Sequence, residues 1–128
     1  MTPWSDLADH WRDIGEVPVY ETMTEQLDTP CLVIMPDEPW IEPSAFSIDT
    51  ERYLAYAVVT SSEAQSAQER LHRFVHFIRH YLPEGWAFES AGGPAQREHQ
   101  GITYMAAECR LTFSQCTEGD PYQGGSSS

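Results

Sequence analysis

The chain has 128 residues, 41% of them hydrophobic and 12% aromatic, which is enough apolar material for one modest core and too little for a multidomain enzyme. Twenty acidic residues against seven basic ones give a formal net charge of -13, so there is too little positive charge to build a phosphate-tracking stripe. All seven basic residues are Arg, and the chain contains neither Lys nor Asn, a statement about codon usage rather than mechanism.

The N-terminus has neither the positive start nor the apolar stretch of a signal peptide, and no run approaches the roughly 18 apolar residues of a membrane span. A soluble, unexported protein is expected. Cys31, Cys109 and Cys116 are odd in number and lack CxxC spacing, which argues against a disulfide framework or zinc knuckle and points to a reducing compartment.

In chain order, Trp4, Leu7, Trp11 and Ile14 form the stripe of a short amphipathic helix, with Thr2 as N-cap, Pro3 at the first helical position and Gly15 as stop. Asp6, Asp9 and Asp13 then face solvent. Val17 to Glu21 predicts a short strand that Pro18 confines to an edge or a strand start. Cys31 to Met35, bracketed by Pro30 and Pro36, is a continuous apolar run and predicts a central strand covered on both faces.

Residues 36–51 contain three prolines and no clean period, so a long loop is expected, yet Trp40, Ile41, Phe46 and Ile48 require something to cover it. Arg52 to Thr60 predicts a strand with Tyr53, Ala55, Ala57 and Val59 on one face and Leu54, Tyr56 and Val58 on the other. Ser62 and Gln65 form a capping box for a long helix reaching Leu82, with Ala64, Ala67, Leu71, Phe74, Val75, Ile78 and Leu82 as its apolar stripe. Glu63 and Glu69 sit toward its start and Arg70, Arg73, Arg79 and His80 toward its end, the order the helix dipole favours.

Trp86 to Glu89 predicts a short strand, Ala91 to Gln100 a flexible turn, and Ile102 to Ser114 an alternating, half-exposed strand. The fold class that follows is α+β: a mixed, largely antiparallel sheet of four to five strands with one long and one short helix packed on it. Residues 1–116 are expected to form one domain and residues 117–128, rich in Gly and Ser, a disordered tail.

His72, His76 and His80 share one helix face, a spacing that permits metal chelation, but Arg73 and Arg79 lie beside them and no carboxylate or cysteine completes a site. No metal site is assigned. Cys31 and Cys109 fall inside strands, where a thiol behaves as a small core hydrophobe, and no base is positioned to activate either one. There is no GxSxG, Walker or GxGxxG pattern, so no catalytic residue and no cofactor are assigned. The segment P36-D-E-P-W-I-E-P43 invites two readings. Its prolines pre-extend the backbone and Trp40 offers a large aromatic anchor for a partner, or else the segment folds back and Trp40 plugs the domain's own core.

The run P30-C-L-V-I-M-P-D-E-P-W-I-E-P43, the strand R52-Y-L-A-Y-A-V-V, the long helix and the final strand I102-T-Y-M-A-A-E-C-R-L-T-F together resemble the tail-terminator (tail-completion) proteins of long-tailed bacteriophages, above all those of phages infecting actinobacteria. The likeness covers roughly residues 5–115 and consists of element order plus one proline-tryptophan segment; the histidine-rich helix and the Gly/Ser tail depart from it. The resemblance implies a non-enzymatic virion protein that forms a ring, commonly a hexamer, on the last ring of the major tail-tube protein. Such a ring stops tube growth and joins the tail to the head-completion or connector protein.

By that likeness Pro36, Pro39, Trp40, Pro43 and Phe46 make inter-subunit or tube contacts. A chain of this length has a radius of gyration near ~14 Å, and six such bodies in a ring leave an opening of roughly 36 Å, wide enough for a DNA duplex to pass. An acidic lumen would repel phosphates during passage. The competing readings are another neck component, such as a head-completion or stopper protein, an acidic DNA-mimic inhibitor, and a ligand-binding or enzymatic α+β domain.

Overall fold

The computed structural model describes residues 2–15, 17–22, 27–43, 48–60 and 64–116. Its elements are α1 (Pro3–Ile14), β1 (Val19–Tyr20), β2 (Cys31–Pro43), β3 (Ile48–Thr60), α2 (Ala64–His80), β4 (Trp86–Ala91), β5 (Ala95–His99) and β6 (Ile102–Cys116). The class is the expected α+β, with six strands in one sheet.

Helix α1 forms for the reasons its sequence supplies. The Thr2 side chain accepts a hydrogen bond from the Ser5 backbone N–H at 3.2 Å, Pro3 occupies the first turn, and Gly15 closes the helix at φ 80°. Leu7 and Trp11 are buried, while Asp6, Asp9 and Asp13 are exposed. Along α2, Ala67, Leu71 and Ile78 are buried and Phe74 and Val75 pack partly against the core. The capping box expected at Ser62 and Gln65 lies outside the described residues, as do Glu63 and the tail expected at 117–128; of Gln65 only the backbone is described.

The sheet runs β1-β2-β3-β6, and β4 and β5 follow one another along the far side of β6. Only β1–β2 is parallel among these pairings. Cys31 to Ile34 is an interior strand segment as expected: Leu32 and Ile34 join the core under the helices, and Cys31 and Val33 join a second cluster on the opposite face. The alternation expected for β3 also holds, with Tyr53, Ala55, Ala57 and Val59 in the helix-side core. On that side α1 lies against β1, and α2 lies against β3 and β6.

Three expectations are corrected. The long loop expected over residues 36–51 is largely sheet: β2 continues to Pro43 and β3 begins at Ile48, with Ile41 opposite Glu51 and Pro43 opposite Asp49. Prolines normally stop a strand because they lack the ladder donor. Here Pro39 falls inside a register irregularity between Pro36 and Ile41, and Pro43 ends the strand, so neither interrupts regular pairing.

The turn expected over Ala91 to Gln100 contains strand β5, which pairs with β6 through a two-residue connection, Gln100 at φ 54° and Gly101 at φ 78°. Two consecutive positive φ values are the hairpin geometry that matches strand twist. Finally, β6 is less exposed than its pattern suggests. Tyr104 and Ala106 are buried on the face away from the helices, against Val33, Val58 and Leu27.

Candidate interaction surface

The irregularity in β2 sets the geometry of the surface. Pro36 is opposite Tyr53 and Ile41 is opposite Glu51, so five steps along β2 match only two along β3. The surplus backbone turns Trp40 to the helix side of the sheet, where its ring meets Trp4 edge-on with centroids 5.8 Å apart. Trp4 in turn lies 5.9 Å from Tyr53, Tyr53 lies 5.4 Å from Trp86, and Trp86 lies 5.1 Å from Phe113. A row of five aromatic rings therefore crosses β2, β3, β6 and β4 at the end of the sheet where α1 begins.

Trp40 resolves both readings of its segment in part. It rests on the protein's own α1, yet 42% of it is exposed, and the adjacent Ile41 is 50% exposed. Pro36, Pro39 and Pro43 are exposed along the same strand, and Phe46 lies outside the described residues. A cleft of about 110 Å³ beneath Trp40, lined by Trp4, Glu21, Ile34, Met35, Pro36 and Tyr53, is too small for a metabolite.

Tyr53 fixes the floor of this surface. Its hydroxyl donates to Glu51 Oε1 at 2.5 Å, and burial followed by that bond pushes its pKa above the ordinary tyrosine range, with Trp40 acting in the opposite direction. On the other face Arg52 clamps two strands, donating from Nε to Glu42 at 2.7 Å and from Nη1 to Glu89 at 3.1 Å. The two carboxylates, Glu42 foremost, hold its guanidinium above the usual arginine range. Four residues further along the same face of β3 the Tyr56 hydroxyl donates to Glu108 at 2.9 Å, and Arg97 lies 5.8 Å from the centre of the Tyr56 ring.

The Cys31 and Cys109 thiols are pushed up to about 12, mainly by burial and secondarily by Asp28 and Glu108 respectively, so both remain protonated and unreactive near neutrality. His72 and His76 face each other at 4.6 Å, and His80 meets Tyr81 at 4.7 Å. Among the described residues no group of three or more His, Cys, Asp or Glu gathers to hold a metal ion, and no helix is long and apolar enough to cross a membrane.

The sequence singles out Trp40 and the prolines as contact residues and Ile41 as an apolar side chain that needs a cover, but it reveals neither Trp4 as the support of Trp40 nor Arg52 as the clamp. The roles of Trp4 and Arg52 depend on pairing across the sheet, which no local pattern encodes. Comparison with known proteins gives no matching family model and no similar curated protein.

Proposed function

We propose that this chain is a structural virion protein, a tail terminator that assembles as a ring, most simply a hexamer, at the head-proximal end of a phage tail tube. It stops addition of the major tail-tube protein and offers the head-completion or connector protein a surface to join. It acts by assembly, without catalysis and without a cofactor, in the virion after assembly in the host cytoplasm.

The observation that carries this reading is the exposed pair Trp40 and Ile41 on a braced strand end. A large aromatic and a branched aliphatic side chain, pre-ordered by the row of rings behind them, form the kind of anchor that dominates protein interfaces. A monomer gains little from leaving both half in water; a subunit whose neighbour or tube covers them gains their burial. The formal charge of -13 suits a conduit, because an acidic bore repels DNA phosphates and lets the duplex pass unbound.

The test is to add the purified protein to polymerising tail-tube subunits and measure tube length by electron microscopy. Capped, length-arrested tubes with this chain at one end are expected. Tubes that grow to the same length with and without the protein would remove the assignment.

A further inference from the structure

Positive charge is distributed over this acidic chain in an uneven way. Between residues 70 and 80 stand Arg70, Arg73, Arg79, His72, His76 and His80, and no carboxylate. The ion pairs separate the arginines further. Arg12, Arg52 and Arg110 pair with carboxylates and Arg97 lies over Tyr56, whereas Arg70, Arg73 and Arg79 have no ion-pair partner among the described residues. Among the described residues, the arginines with neither an ion pair nor a ring contact all lie on α2.

Two of them, Arg70 and Arg73, border an open groove of about 620 Å³ that Val17 and Pro30 close on the side opposite α2. Arg70, Arg73, His76 and His80 line it together with the rings of Phe74, Phe77 and Tyr81. An apolar floor with a cationic rim requires an occupant that is both apolar and acidic.

The same chain carries such a segment. The far ends of β2 and β3 present Trp40 and Ile41 half exposed, with Glu38 two residues before Trp40, Glu51 opposite Ile41 and Asp49 two residues from Glu51, while Glu42 lies on the other face, paired with Arg52. The segment cannot serve its own groove. Cys31, next to Pro30 of the groove, is opposite Val58, and Ile41 is opposite Glu51, so the two surfaces are separated by seven residues of extended β3, roughly 23 Å.

We infer that the α2 groove is a socket for the Trp40–Ile41 hairpin end of a second copy of this chain. Resting on the ring reading above, this names the partner of its exposed surface. Plug and socket lie at different places on each subunit, so the contact is heterologous and passes from copy to copy until a ring closes, rather than ending in a two-fold dimer. Duplex DNA would also meet the arginines, but it supplies no apolar group for Phe74, Phe77 and Tyr81 and would face the acidic remainder of the chain.

The test measures self-association of the whole chain by sedimentation velocity without tube protein, at low and high salt. Wild type is expected to form oligomers larger than dimers that weaken as salt rises. R70E/R73E and E38R/D49R are each expected to raise the dissociation constant about tenfold or more, and an equimolar mixture of the two to regain association, because each reversed rim then meets a reversed plug. Circular dichroism of each variant separates loss of docking from loss of fold, and recovery in the mixture excludes misfolding.

A wild type that stays monomeric at low salt overturns the inference. So does association unchanged in R70E/R73E, or a fluorescent DNA duplex bound by wild type and released by R70E/R73E. Tube arrest is read separately: wild type that stops tubes while failing these association tests retains the terminator reading and loses only the socket.

Discussion

The Trp4 ring, from the first turn of α1, supports Trp40, from the far half of β2, edge-on at 5.8 Å, while its other side reaches Tyr53 at 5.9 Å. The two tryptophans are therefore unequal partners. Trp4 is held from both sides, and Trp40 is held from one side with 42% of its surface exposed. Trp40→Ala is expected to lower stability by about 1–2 kcal/mol and Trp4→Ala by about 3 kcal/mol, on the scale of large aromatic truncations reduced for exposure. Urea unfolding of the single and double variants is expected to give a coupling energy of about 1 kcal/mol. Fully additive losses would mean that the ring contact contributes nothing.

Gly85 carries a different constraint. Its φ is 94°, and a Cβ built there would lie 2.9 Å from Phe113 Cε1, while its carbonyl accepts the Ser114 backbone N–H at 3.0 Å. Gly85→Ala must therefore either leave the left-handed region and lose the bond to β6, or displace the ring next to Trp86. A loss of about 1–3 kcal/mol is expected, with a lower thermal midpoint and an unchanged far-ultraviolet spectrum. A variant as stable as wild type would show that Phe113 yields freely.

Much of this framework is legible in the sequence where the signal is local. Thr2, Pro3 and Gly15 delimit α1, the apolar stripe of α2 repeats at helical spacing, and Tyr53 to Val59 alternates at strand spacing. The failures share a cause. Pro36, Pro39 and Pro43 read as loop because each residue alone disfavours a strand, and only the partner strand decides whether the missing donors matter; Pro39 falls in the irregularity between Pro36 and Ile41, and Pro43 ends the strand. Strand β5 was lost in the same way. Gln96, Arg97 and Glu98 carry no apolar alternation, and Gln100-Gly101 is a weaker hairpin signal than Asn-Gly, so pairing with Thr103, Tyr104 and Met105 specifies the strand. Trp40 could be singled out as an anchor, but its support by Trp4, 36 positions earlier, is a tertiary fact.

Alkaline pH is expected to destabilise the fold in a defined window. Burial moves the Cys31 and Cys109 thiols from 9.0 to about 12, so above about pH 9 the unfolded chain releases protons that the folded chain retains. The contribution of these thiols is complete below that value and is lost as pH rises toward 12, at up to about 1.4 kcal/mol per pH unit for each thiol. Tyr53 and Tyr56, both raised from 10.0, act in the same direction at higher pH. Urea midpoints measured from pH 8 to pH 11 are expected to fall progressively, and less steeply in Cys109→Ala. A flat profile would mean that the thiols ionise freely in the folded protein.

Strand β2 contains its own control for separating stability from assembly. Ile34 and Ile41 are the same residue type on one strand and both face the helix side, but Ile34 is 1% exposed and Ile41 is 50% exposed. Ile34 fills the core with Leu32 and Tyr53, so Ile34→Ala opens a cavity and is expected to cost about 2–5 kcal/mol. Ile41→Ala removes a side chain already half in water, leaving roughly 1 kcal/mol or less to lose. Assembly should show the reverse order. At temperatures where both variants remain folded, Ile34→Ala keeps the exposed pair intact and should still arrest tube growth, whereas Ile41→Ala removes part of the anchor and should leave tubes long. If arrest follows stability instead, failing in Ile34→Ala and surviving in Ile41→Ala, then the exposed end of β2 takes no part in capping and the anchoring side chains lie elsewhere on the subunit.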